Sequence, residues 1–245
     1  MNFAIVILRR VWKGLFFANV FIGLTILYPA FYVLLSREAW FPLAMKLKRF
    51  WAHLILHDVG IFYSIQQEVE LDKNQSYIFC PNHGSYLDIV VSYIALPNYF
   101  HFIGKAELKN VPLFNIFFRK MDIALDRKSM RDAHRVMTRA EEDIKKGASI
   151  VIFPEGTIPE NAPVMGHFKN GPFKLAIDTQ TPIVPVTYLN NYKILPDGKK
   201  GKIGGRPGIS YVKIHAPIST KGMTKEDIET LKHKVFEAIN GGFKK

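Results

Sequence analysis

The chain has 245 residues, a formal net charge of +12, one cysteine, 48% hydrophobic and 22% charged residues. That length is ample for a large core, the lone Cys80 excludes an internal disulfide, and no Cys/His cluster has the spacing of a zinc site. The positive balance calls for an anionic partner, whether nucleic acid, anionic lipid or a phosphorylated small molecule, and composition does not choose among them.

The N-terminal segment departs first from the pattern of a soluble enzyme. Gly14 to Ser36 runs 23 residues without a formal charge, and about 20 apolar residues suffice to cross a bilayer core. Both flanks are basic, however: Arg9, Arg10 and Lys13 precede the run, and Arg37, Lys46, Lys48 and Arg49 follow it. A single span would leave one basic cluster on the outer side, against the positive-inside tendency. Two arrangements avoid this. One is a helical hairpin bent near Gly23 or Pro29. The other is an apolar helix lying in the interface, followed by an amphipathic stretch from Trp40 to His57. Trp12, Trp40 and Trp51, with Tyr28 and Tyr32, suit headgroup depth. Residues 1–58 are therefore read as a helical, non-spanning membrane anchor on the cytoplasmic side of the cell's inner (plasma) membrane. The run lacks the layout of a cleaved signal peptide. His53 and His57 are read as packing or interface residues.

From residue 59 to 245 short apolar runs alternate with amphipathic helices. Strands are expected at Ile61–Val69, Ser76–Cys80, His101–Gly104, Asp122–Leu125, Ser149–Phe153, Ile183–Tyr188 and Ile209–His215. Helices are expected at Ile89–Leu96, Pro112–Lys120, Pro172–Thr179, from Ser129 to Lys146, and from Thr224 onward. Ser129 with Asp132, and Thr224 with Asp227, have the spacing of a capping box, and Gly147 ends the long helix. Lys193 to Gly208, rich in Gly and Lys, reads as a loop. The alternation predicts one α/β domain around a mixed, largely parallel sheet flanked by helices.

Two constellations within this domain carry chemistry. Asn82-His83-Gly84-Ser85-Tyr86-Leu87-Asp88 leaves a strand that should end at Pro81, which cannot donate to a sheet ladder. Five residues separate His83 from Asp88, which suits a turn that folds back. A carboxylate at one ring nitrogen fixes the tautomer and leaves the other nitrogen free to take a proton. The second constellation, Phe153-Pro154-Glu155-Gly156-Thr157, opens a buried strand into a polar turn. Ligands of open α/β sheets bind where strands end at their carboxyl edge, so both turns are expected to face one crevice. Glu155 is expected to accept hydroxyls, Gly156 to allow a close approach or a positive φ, and Thr157 to donate to an oxyanion. Lys105, Arg127 and Lys128 follow strands, Lys169 follows the long loop after Thr157, and together they suit a phosphate cradle. Cys80 reads as core.

These residues together resemble the glycerolipid acyltransferase family, most nearly its lysophosphatidate acyltransferases, over roughly residues 60–220. The family's first block, Asn-His-x-x-x-x-Asp, is present from Asn82 to Asp88. Its third, Phe-Pro-Glu-Gly-Thr, is Phe153 to Thr157. Its fourth, an apolar run with a central Pro, is Ile183-Val184-Pro185-Val186. The second block is altered: Met121 and Ala124 replace its Gly and Phe, while Asp126-Arg127 is kept. Ile158 stands where the family often has Arg. The resemblance implies acyl transfer from acyl-CoA or acyl carrier protein to the free hydroxyl of 1-acyl-glycerol 3-phosphate, giving phosphatidate. His83 would be the base and Asp88 its orienting partner. Lys105 and Arg127 would hold phosphate, and Glu155, Gly156 and Thr157 would shape the acceptor site. It implies a lipid bilayer as partner, no nucleic acid, no cofactor, no metal and no acyl-enzyme. The altered blocks keep other acceptors open: glycerol 3-phosphate, another lysophospholipid, or a lyso-ornithine-type lipid. From a different class, a basic membrane-binding module would account for the charge but has no use for a paired His and Asp.

Overall fold

The computed structural model describes residues 3–197 and 204–244. A seven-stranded sheet is built from β1 (Ile61–Gln67), β2 (Ile78–Pro81), β3 (Phe100–Lys105), β4 (Ile123–Leu125), β5 (Ser149–Val151), β6 (Ile183–Tyr188) and β7 (Gly208–Ile214). Their order is β1-β7-β6-β2-β5-β3-β4. From β6 to β4 every neighbouring pair is parallel; β7 runs antiparallel to β6, and β1 parallel to β7. The mixed, largely parallel sheet is as expected. β2, β5 and β6 are buried along their whole length, which requires cover on both faces.

The pleat supplies that cover with two separate apolar layers. Phe79, Val151, Val184 and Val186 point to one side, and Ile78, Cys80, Ile150 and Ile183 to the other. The first side is packed by α1 (Phe3–Leu34), α2 (Phe41–Asp58), α3 (Leu87–Ala95) and α4 (Asn115–Lys120). The second is packed by α5 (Met130–Lys145), α6 (Gly171–Thr179) and α8 (Ile228–Phe243), with α7 (Asn191–Ile194) a single turn after β6. The Ser129 hydroxyl caps α5 by accepting the Asp132 amide, and the Thr224–Asp227 box is present, though a short 3-10 turn precedes α8 there. Part of the expected 193–208 loop is helical, as α7, and its segment 198–203 lies outside the described residues.

The N-terminal segment corrects two expectations. α1 is one continuous helix through both Gly23 and Pro29, so the chain does not reverse at either. Gly23 serves packing instead: a Cβ there would come within 2.6 Å of Trp51 Nε1. The reversal falls at residues 35–40, and α1 and α2 form the hairpin. Trp51 is not at the surface depth expected of it, and Trp12 is half-buried. Trp51 is buried between Phe31 and Phe117, at ring-centroid distances of 6.0 and 6.2 Å. The Trp12 Nε1–H donates to Val59 O at 3.0 Å. Only a stripe of α1, Phe16, Leu24 and Phe31, is buried. Ile5, Ile7, Leu8, Val11, Leu15, Ile22, Ile26 and Val33 are left exposed. By length and composition α1 is long and apolar enough to cross a membrane.

One ion pair fastens this hairpin to the sheet. Lys48 of α2 reaches Asp122, just before β4, at 2.6 Å, with side chains 1% and 3% exposed. The other Asp122 oxygen accepts the Phe102 amide of β3 at 3.0 Å, and the ammonium lies 4.5 Å above the Phe117 ring. Burial lowers the Lys48 pKa, and Asp122 opposes that shift. Removing one partner strands a buried charge, which typically costs about 3–5 kcal/mol. Lys48→Met should lower unfolding free energy by that order in a denaturant titration, and Lys48→Met with Asp122→Leu should recover much of it.

A second electrostatic cluster closes the opposite edge. Glu68, just past β1, accepts from Lys213 at 2.9 Å, from the Ala216 amide at 3.0 Å, and lies 3.1 Å from His215 Nδ1. Partial burial pushes its pKa up, but these partners outweigh it and hold it at about 2. A carboxyl depressed in the folded state stabilises above its unfolded pKa, and loses that contribution as pH falls toward the folded value. Melting curves of the wild type and Glu68→Gln should therefore differ at neutral pH and converge as pH falls from about 4.5 toward 2.

Candidate active site

β2 stops at Pro81, and the chain turns through Asn82–Tyr86 into α3. Asn82 pins this turn to the end of β6: its Nδ2 donates to Tyr188 O at 3.2 Å, and its Oδ1 accepts the Tyr188 amide at 2.7 Å. The five-residue gap between His83 and Asp88 closes as expected. Asp88, in the first turn of α3, folds back so that Oδ2 accepts from the Gly84 and Ser85 amides at 2.8 Å each and lies 3.0 Å from His83 Nδ1. Oδ1 accepts from Asn191 Nδ2 at 2.9 Å. An ionised carboxylate only accepts, so Nδ1 carries the proton facing it, and the Nε2 lone pair of the neutral ring is left for a substrate. The helix N-terminus favours the negative charge further. The Asp88 side chain is 0% exposed and that of His83 13%, so solvent meets the imidazole and not its partner. Phe153 stacks on the ring, centroids 4.0 Å apart, and holds its plane.

Glu155 is buried, with Oε1 accepting the His83 amide at 2.7 Å and Oε2 the Gly166 amide at 2.6 Å. It braces the histidine turn against the 157–170 loop. Burial raises its pKa against the pull of those two amides and of His83. Gly156 has φ +71°, the left-handed conformation that a residue without Cβ adopts freely. Thr157 is exposed beside it. Ile158 is buried, so the position where the family often carries Arg is apolar packing here. Cys80 is buried, and burial drives its thiol pKa well up, which leaves it an inert core residue.

Lys105 ends β3, and Arg127 follows β4 by two residues. Both lie at the carboxyl edge that holds His83. Lys105 pairs with the exposed Glu107 at 2.9 Å, and the same carboxylate attracts Arg127. β3 and β4 lie two and three strands from β2, which is about 10–15 Å sideways at ordinary strand spacing. Among the described residues, no hydrogen bond or ion pair joins either cation to His83, Asp88 or Glu155. Lys169 sits closer to the second turn: its amide donates to Pro154 O at 2.8 Å, and its Cγ is 3.9 Å from a Cβ built on Gly156.

The sequence reading missed Asn191, which meets Asp88 from 103 residues downstream, and Phe153 as the platform under the imidazole. Nothing in local spacing marks Asn191. Phe153 was visible as a neighbour of the second turn, but its stacking depends on β2 and β5 pairing side by side.

Residues 63–189, just over half the chain, match the Acyltransferase family. An uncharacterized acyltransferase from Schizosaccharomyces pombe is 31% identical over 219 residues, 87% of this chain and 72% of that one. The chloroplastic 1-acyl-sn-glycerol-3-phosphate acyltransferase BAT2 of Brassica napus is 32% identical over 166 residues, 66% of this chain. The match spans 46% of that plant relative's length. The crystal structure of the 1-acyl-sn-glycerophosphate acyltransferase of Thermotoga maritima superposes with a TM-score of 0.79 at 23% identity, covering 97% of this chain and 95% of that one; this likeness is one of fold. With the paired blocks and the sheet that positions them, the chain belongs to the acyltransferase family.

Because Glu155 satisfies two backbone amides from inside the fold, Glu155→Gln leaves one amide facing an NH2 group. The expected cost is about 1–3 kcal/mol, read as a shift of the denaturant midpoint without a change of slope.

Proposed function

We propose that the chain transfers an acyl group from a thioester donor, acyl-CoA or acyl carrier protein, to the free hydroxyl of 1-acyl-glycerol 3-phosphate, at the cytoplasmic face of the plasma (inner) membrane. The observation that carries this reading is the buried Asp88 aimed at His83 Nδ1. Nε2 takes the hydroxyl proton as the alkoxide oxygen attacks the thioester carbon. The tetrahedral adduct collapses with loss of the thiolate, and the imidazolium returns the proton to that sulfur. Asp88 steadies the imidazolium in between. Direct transfer needs no enzyme nucleophile, in keeping with a buried Cys80. The names of similar proteins support the acceptor. Lys105, Arg127 and Lys169 at the same edge supply charge for its phosphate, and Thr157 at the lip of the turn supplies a donor. The exposed apolar side of α1 supports a bilayer contact that keeps both lipids out of water. Residues 1–58 serve as this anchor, and 59–245 as the acyltransferase domain.

A second acceptor is favoured by one observation: Ile158 is buried where the family often has Arg, which removes one phosphate contact. Purified protein offered lysophosphatidate, glycerol 3-phosphate and other lysophospholipids should turn over lysophosphatidate fastest. Absence of that rate with turnover of another acceptor would transfer the reading to it. His83→Ala should lower kcat at least 1,000-fold, on the order of the loss when a general base is removed, while sedimentation with liposomes is unchanged.

A further inference from the structure

Among the described residues, Asn191 alone holds the Asp88 carboxylate from outside its own turn. Asn191, in the turn after β6, donates from Nδ2 to Asp88 Oδ1 at 2.9 Å. A primary amide can present either end. Here its orientation is set by Ser210 of β7, whose hydroxyl donates to Asn191 Oδ1 at 2.6 Å. Because that oxygen is occupied by a donor, the NH2 end faces the carboxylate. Asp88, Asn191 and Ser210 are all buried, so water does not replace either bond. Resting on the acyl-transfer reading above, we propose that Asn191, oriented by Ser210, is a positioning residue for catalysis: it locks the Asp88 carboxylate in the rotamer that aims His83.

The physical case is one of divided support. The three donors on Oδ2 come from His83, Gly84 and Ser85, all within the turn that Asp88 is meant to order. They move with it. Asn191 ties the second oxygen to a different part of the sheet, and Ser210 extends the chain of bonds to β7, next but one to β2. Tyr188 and Glu155 are the other ionisable groups near Asp88. The Tyr188 hydroxyl faces Ser92 and the Glu155 oxygens face amides, so neither substitutes for Asn191.

Four variants test this in the full-length protein: Asn191→Ala, the isosteric Asn191→Asp, Ser210→Ala and Ser210→Thr. Asn191→Ala and Asn191→Asp should each lower kcat about 10- to 100-fold, the range for one hydrogen bond to a charged group, with KM for lysophosphatidate changed less than about twofold. Ser210→Ala should lose less, Ser210→Thr should restore the rate, and Asn191→Ala with Ser210→Ala should be no slower than Asn191→Ala alone. The downfield proton resonance of His83 Nδ1–H, followed without substrate, should shift in Asn191→Ala and not in Ser210→Thr. Additive losses, a change confined to KM, or an unmoved resonance would overturn the proposal. A shifted resonance with a wild type inactive on lysophosphatidate would keep the positioning role and remove the acceptor instead.

Discussion

A carboxylate sealed from water and surrounded by donors is the constraint around which this fold is arranged. Asp88 receives two amides and the imidazole on one oxygen and Asn191 on the other. A buried anion left with fewer partners would be costly, so the β2–α3 turn, the end of β6 and the start of the β6–β7 connection have to meet at one place. Asn82 makes the turn meet β6, Glu155 makes it meet the loop after β5, and the rest of the chain supplies the scaffold that lets them do so.

The scaffold itself follows from how apolar residues alternate along the central strands. Ile78, Ile150 and Ile183 face one helical layer and Phe79, Val151 and Val184 the other, which fixes register, because a slip of one residue would exchange the layers. Parallel strands then bring their carboxyl ends to one edge, and histidine, glutamate turn and cations appear there together. α2 is keyed into the same core by Lys48 and Asp122. The amphiphilic hairpin and the edge that carries His83 therefore share one packed core.

Much of this was legible in the sequence. The strands and helices follow from periodicity and caps, and the His83–Asp88 contact follows from a turn at Pro81. What failed shares a cause: its partners lie far off in the chain. Glu155 gives no local sign that Gly166 and the His83 amide bond its two oxygens. Trp51 looks like an interfacial residue until Phe117 is placed beside it. Pro29 looks like a bend, yet a helix supported along one flank by Phe16, Leu24 and Phe31 continues through it. Asn191 carried no local signal at all.

The outward side of α1 has a consequence for the life of the newly made chain. Eight large aliphatic side chains on one helix, from Ile5 to Val33, face away from the fold. In water such a strip pairs with whatever apolar surface it meets, including another copy of itself. The same helix is the first part of the described chain to leave the ribosome, well before the sheet it packs against exists. Newly made protein must therefore be escorted, or synthesised close to an amphiphilic surface, and in aqueous buffer without detergent its aggregation will compete with its recovery.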